Sequence, residues 1–223
     1  MLREAKSGRG RKMTIDNDDL LNSLLASLDR VGYISPEDIP NIDLYMDQVT
    51  TFMDSRLRAT ARYPGEDKIL TKTMINNYAK NDLLPPPVKK KYSKEHVLLL
   101  IFIYYYKNIL SISDIQTLLG PITERFFQKE GNFNLESVYR EVFGMEGEQL
   151  QSLKEDLAEK FRTAQETFQD APKEDADFLR KFSFICTLSF DVYLKKMIIE
   201  KMIDGLSGTA RGEEKKGSKG DNA

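Results

Sequence analysis

Residues 70–119 decide how this chain folds: LTKTMINNYAKNDLLPPPVKKKYSKEHVLLLIFIYYYKNILSISDIQTLL, from Leu70 to Leu119. Spacing predicts a helix over 71–81, with Met74, Ile75 and Tyr78 on a packing side. Thr73, Asn76, Asn77 and Lys80 fall on the other side, because residues three and four apart share a helix face. Pro85-Pro86-Pro87 ends that helix in a stiff extended stretch. Three lysines and Tyr92 follow, and Ser93 then caps a strongly apolar helix over 94–107. Ser111-Ile112-Ser113-Asp114 starts a short helix that Gly120-Pro121 is predicted to close.

Outward from this stretch the pattern stays helical. Leu20, Leu21, Leu24, Leu25 and Leu28 recur at helical spacing, predicting an amphipathic helix over 16–31. Ser35–Asp38 reads as a short helical turn. A helix is expected over 43–57 and a loop over 62–68, which holds Pro64 and Gly65. Behind Pro121, helices are expected at about 134–143, 146–170 and 175–204. Leu150, Leu153, Leu157, Phe161 and Phe168 form the apolar stripe of the second. Phe126, Phe127, Phe133, Tyr139 and Phe143 read as core aromatics in preference to the lining of a ligand pocket.

The predicted organisation is therefore a polar tail at 1–15, an N-terminal helix in 16–39, and a domain at 40–121. A helical oligomerisation or effector domain follows at 122–206. A second tail at 207–223 has too little apolar surface to offset the entropy of ordering. The first tail carries five bases against one acid, and is either a solvated tail or a nucleic-acid arm.

Composition excludes much chemistry. The 223 residues hold one Cys and one His, so an internal disulfide is impossible and a Cys/His zinc site is effectively excluded. A single cysteine fits a reducing cytoplasm. No glycine loop of the P-loop or dinucleotide type is present, no cofactor is implied, and the reading is non-enzymatic. His96 is expected as a partly exposed residue in a helix start, and Cys186 as a small buried hydrophobe. The longest apolar run, Val97–Tyr106, is too short to span a bilayer.

Net charge is only −2, but its distribution is polarised. Residues 56–94 hold ten bases and three acids, whereas residues 129–178 hold thirteen acids and six bases. A basic front and an acidic rear point to a polyanion-facing module joined to something else. Asn suits bidentate contact with adenine in the major groove, and Lys and Thr suit phosphates or base edges. The candidate groove-facing set is Lys72, Thr73, Asn76, Asn77 and Lys80. Lys89, Lys90, Lys91 and Tyr92 form a candidate wing, and Arg56, Arg58 and Arg62 candidate clamps on the flanking backbone.

The run Ile75-Asn76-Asn77-Tyr78-Ala79-Lys80-Asn81-Asp82-Leu83-Leu84-Pro85 resembles the end of the recognition helix in the MerR-like winged helix-turn-helix superfamily. That family's pattern is of the type I-R-Y-Y-E-x-x-G-L-L before proline. Lys91-Tyr92 stand where its wing supplies a basic residue and a tyrosine. Ser111-Ile112-Ser113-Asp114-Ile115 stand where it starts a short helix with S-L-x-E-I. The family's arginine, first tyrosine, glutamate and glycine are here Asn76, Asn77, Ala79 and Asp82. The whole chain is similar to a bacterial domain-of-unknown-function family whose members resemble MerR regulators. The resemblance implies a mainly α fold, a winged helix-turn-helix on an acidic helical domain. It implies a transcriptional regulator of double-stranded DNA, expected to be a homodimer and to answer to an unidentified effector. The alternative is a protein–protein adaptor that keeps the winged-helix shape.

Overall fold

The structure is a computed structural model that describes residues 17–30, 32 and 34–217. The predicted tail at 1–15 and residues 218–223 lie outside the described residues. The fold is mainly helical: α1 (Asn17–Leu28), β1 (Leu44–Tyr45), α2 (Met46–Leu57), α3 (Lys72–Lys80), β2 (Lys91–Tyr92), α4 (Lys94–Tyr106), α5 (Ile112–Phe126), α6 (Leu135–Gly144), α7 (Glu146–Gln165) and α8 (Lys173–Gly217). A short 3-10 turn at Pro36–Asp38 leads into the first of them after α1.

α4 organises the main core. Every residue from His96 to Tyr104 is buried, so this helix is apolar on all sides and is wrapped by its neighbours. Val49, Met53 and Leu57 of α2, Ile75 and Tyr78 of α3, and Ile115 and Leu119 of α5 close around it. The two strands pair antiparallel, Leu44 with Tyr92 and Tyr45 with Lys91. This contradicts a helix starting at residue 43: the chain is extended through Tyr45, and α2 begins at Met46. The Tyr45 N–H donates to Gln48 Oε1 at 2.8 Å and fixes that start.

Two expectations fail around Pro121. α5 runs through Gly120-Pro121 to Phe126. Ile115, Leu118, Leu119, Ile122 and Phe126 prolong one apolar stripe across the proline, and all pack on the core. Their burial offsets the roughly 3 kcal/mol that an interior proline costs a helix. A domain boundary at 121/122 therefore falls inside a helix. α6 also belongs to the front core, since Leu135 and Tyr139 are fully buried in it. The Tyr139 hydroxyl donates to the Ile34 carbonyl at 2.9 Å. Lys94 reaches Glu136 at 2.7 Å, and Arg140 reaches Glu37 at 2.6 Å. The Arg140 guanidinium, with the Ser35 hydroxyl, draws the Glu37 carboxyl down to about 2. The core aromatic cluster holds Phe102, Tyr139 and Phe143, whereas Phe133 is exposed.

A second, smaller core joins α7 to α8 through Phe161, Ala164 and Phe184, with Leu20 and Leu21 of α1 packed on it. The Leu-rich first helix is thus seated within its own chain. α8 is 45 residues long. It lies along α7 and meets the main core at Ile203, which is buried there. It also continues through 207–217, where composition predicted a disordered tail. The Glu and Lys of that stretch are good helix formers, and an existing helix needs no new nucleus to extend. Cys186, expected to be buried, is exposed on α8. Among the described residues no helix is long and apolar enough to cross a membrane.

Candidate nucleic-acid interface

α3 separates its two faces as its spacing requires. Ile75 and Tyr78 are buried, whereas Lys72, Thr73, Asn76, Asn77 and Lys80 are exposed. Thr71 caps the helix by accepting from the Met74 N–H at 3.1 Å. At the other end the Leu83 N–H donates back to the Tyr78 carbonyl at 2.9 Å. Asp82 there has φ +54°, the left-handed conformation that ends many helices. The Asn81 amide donates to the Asn77 carbonyl at 2.7 Å, and Gln116 of α5 donates to the Asn81 carbonyl. The helix is therefore held at both ends while its amide-rich face stays open to solvent.

The lysine stretch forms a tight two-residue turn. The Val88 N–H donates to the Lys91 carbonyl at 3.1 Å, and the Lys91 N–H donates to the Val88 carbonyl at 2.9 Å. The two residues between them, Lys89 and Lys90, have φ +49° and +65°. Positive φ at both central positions is the signature of a type I′ hairpin turn, which normally takes Asn-Gly. Two lysines occupy it instead, both exposed at the tip. Such a sparsely populated backbone, held in place by its surroundings, is the kind of outlier that clusters at functional sites.

The remaining candidates divide. Lys91 lies over the Tyr45 ring, 5.1 Å from its centre, at the base of the turn. Arg62 is exposed over the Tyr63 ring at 5.3 Å. Lys72 is exposed and paired with Asp47 of α2. Arg56 is exposed, lies 5.8 Å over the Phe52 ring and meets Asp38 at 3.5 Å.

Two candidates are corrected by their surroundings. Arg58 grips the Asp54 carboxylate and donates to the Pro64 carbonyl at 2.8 Å and the Asp67 carbonyl at 2.5 Å. It shapes the loop after α2, with four of its five N–H donors engaged there. Tyr92 is 3 % exposed and belongs to the core, edge-on to His96. Strand pairing with Leu44 points it inward, while Lys91, its neighbour on the strand, takes the opposite face.

His96 also departs from expectation, being buried with 1 % exposed. It takes the third position of the capping box at the start of α4. Its Nδ1 accepts from the Ser93 N–H at 3.0 Å, and Phe127 closes over it with ring centres 4.9 Å apart. Burial pushes its pKa below the usual histidine value, opposed by the nearby Pro86 and Pro85 carbonyls and by Asp43. A Ser-x-x-His start before an apolar run was the available signal for this burial. For Gln116 the sequence offers no signal, because its partner Asn81 lies 35 residues earlier, just past the end of α3.

The geometry defines a helical domain with a small sheet that presents one amide-rich helix face and a lysine-tipped hairpin turn. Residues 34–142 match a family model described as a domain of unknown function, DUF1836. That span runs from the Ile34 carbonyl gripped by Tyr139 to the last turn of α6, and so encloses most of the main core. No curated protein and no solved structure matches the chain.

Proposed function

We propose that this chain is a sequence-specific DNA-binding regulator of the winged helix-turn-helix type. Thr73, Asn76, Asn77 and Lys80 of α3 enter the major groove, and the turn at 88–91 sets Lys89 and Lys90 on phosphates. The observation that carries this reading is the exposed Asn76/Asn77 face of α3, followed in the chain by a tight turn of left-handed backbone occupied by two exposed lysines. Asn pairs of this kind suit adenine edges, and lysines at a tip suit the backbone. Asp82, which stands where the resembled family has glycine, takes the left-handed conformation that glycine favours. β2 returns to pair with β1 just ahead of α2, as a wing strand does.

The test is selection of genomic fragments with the full chain, followed by gel shift of the best fragment. The expected result is a discrete site whose affinity falls steeply between about 50 and 200 mM salt. Asn76→Ala with Asn77→Ala should relax the sequence preference, at about 1–3 kcal/mol per lost base contact. Lys89→Ala with Lys90→Ala should weaken all sequences alike and flatten the salt dependence. No enriched fragment at about 50 mM salt would sink the proposal and favour the adaptor reading.

A further inference from the structure

α1 and α8 both pack on α7, and the bundle they form is closed at one end and open at the other. At the closed end Phe161 and Phe184 meet edge-on, with Leu20, Leu21, Leu157 and Leu188 packed around them. Toward the open end lies a cavity of about 780 Å³. That volume is within the ~300–1,000 Å³ of small-molecule sites. The sequence of α8 makes the opening. Phe184, Leu188, Asp191 and Lys195 recur at intervals of four and three, so they share one face of the helix. The first two are apolar and fill the small core. The next two are Asp and Lys, which cannot close a dry layer. Leu28 of α1 with Leu150 and Leu153 of α7 supplies an apolar wall. Lys154 pairs with Asp29, just past the end of α1, and holds that helix at the rim.

Charge decides what fits. Lys160 of α7 donates to Asp156 at 2.6 Å and also to Asp191 on α8. Both carboxylates in the lining are thereby neutralised. Lys195 lines the same cavity and has no ion-pair partner among the described residues, whereas its neighbour Lys196 meets Glu200 at 3.6 Å. The cavity thus combines an apolar wall with an uncommitted ammonium. We propose that it binds a medium-chain aliphatic carboxylate, with the carboxylate on Lys195 Nζ and the chain along Leu28, Leu150 and Leu153. A neutral head group forfeits the charge on Lys195, and a cationic one meets carboxylates that Lys160 already satisfies. The cavity lies outside residues 34–142, and the proposal does not depend on the front face binding DNA.

The test is isothermal titration of the full chain, without DNA, with hexanoate, octanoate and decanoate below their micelle concentrations. Binding should saturate at one ligand per chain and tighten by up to about fourfold per added methylene. Octanol and octylamine should bind at least about tenfold more weakly than octanoate. Lys195→Met keeps an apolar stem and removes the charge. It should weaken octanoate by about 10- to 100-fold and leave octanol unchanged. Leu153→Asp should abolish binding with the helical circular dichroism retained. Ile185→Lys, at an exposed position on α8 away from the cavity, should bind like the native chain. No saturable binding of octanoate overturns the proposal. So does octylamine that binds as tightly, or an unchanged octanoate affinity in Lys195→Met. Loss of binding in Ile185→Lys moves the ligand to the outer face of α8 and overturns it as well.

Discussion

The Ser93 backbone N–H donates to Nδ1 of His96 at 3.0 Å, so the one imidazole in the chain serves as the acceptor of a helix cap. An Nδ1 that accepts a proton donor cannot itself be protonated, so the folded state holds His96 neutral, with its proton on Nε2. Burial lowers its pKa from 6.5. The unfolded chain therefore binds the proton more readily. This contribution to stability is complete above about pH 6.5 and is lost as pH falls through the depressed folded value, at about 1.4 kcal/mol per unit of pKa difference. Imidazole proton shifts, which come from a single residue, should titrate with a midpoint below 6.5. Urea unfolding should show His96→Gln with a flatter acid limb than the native chain. A midpoint above 6.5 would show that the cap does not form as described.

In the proposed interface, the turn at 88–91 would set stability against binding. Lys89 and Lys90 both hold positive φ, which costs a residue with a side chain about 1–2 kcal/mol. Replacing them by Asn-Gly should raise the unfolding free energy by about 1–2 kcal/mol. The same exchange should weaken DNA binding and reduce its salt dependence. Denaturant midpoints and gel shifts on one preparation measure both. A change that stabilises the fold and leaves binding intact would remove the lysines from the interface.

Arg58 should separate from the other cations in the same assays. Its bonds to the Asp54 carboxylate and to the Pro64 and Asp67 carbonyls hold the loop after α2. Arg58→Ala should cost about 1–3 kcal/mol of stability. The salt slope of DNA binding should be unchanged, whereas Lys90→Ala should do the reverse.

Tyr139 ties α6 to the start of the main core through the Ile34 carbonyl. Tyr139→Phe leaves that buried carbonyl unpaired and should cost about 1–3 kcal/mol. A chain ended at residue 121 removes Leu135 and Tyr139 and cuts α5 short. It should melt without a cooperative transition, while one ended after α6 at Gly144 should keep it.

Local chemistry made much of this fold legible. Thr71, Ser93 and Ser111 mark helix starts because a hydroxyl or its capping partner satisfies free backbone donors, a relation confined to a few residues. Pro85-Pro86-Pro87 ends the preceding segment for an equally local reason. The exposed face of α3 followed from helical spacing alone. What escaped was set by distant partners. Tyr92 is buried because its strand pairs with one far back in the chain, and a two-residue strand carries no alternation to read. Pro121 was read as a stop because the stripe that carries α5 past it is worth more than the local penalty only once α4 is in place. Cys186 sits among apolar neighbours in sequence, but on α8 it is exposed like Phe182, Ile185 and Phe190 while Phe184 alone of that group is buried, so composition pointed the wrong way.

α8 is anchored at Ile203 in the main core, and Phe178 lies twenty-five residues before it along the same unbroken helix. At 1.5 Å per residue that arm is about 37 Å long. A tilt of about 10° at the anchor carries Phe178 through roughly 6 Å, more than a full helical turn in pitch. The small core at Phe161 and Phe184 lies along the arm and fixes its angle. The helix is thus pinned at two places, beside α5 at Ile203 and beside α7 at Phe184, so repacking at the first reaches Phe178 only by disturbing the small core as well.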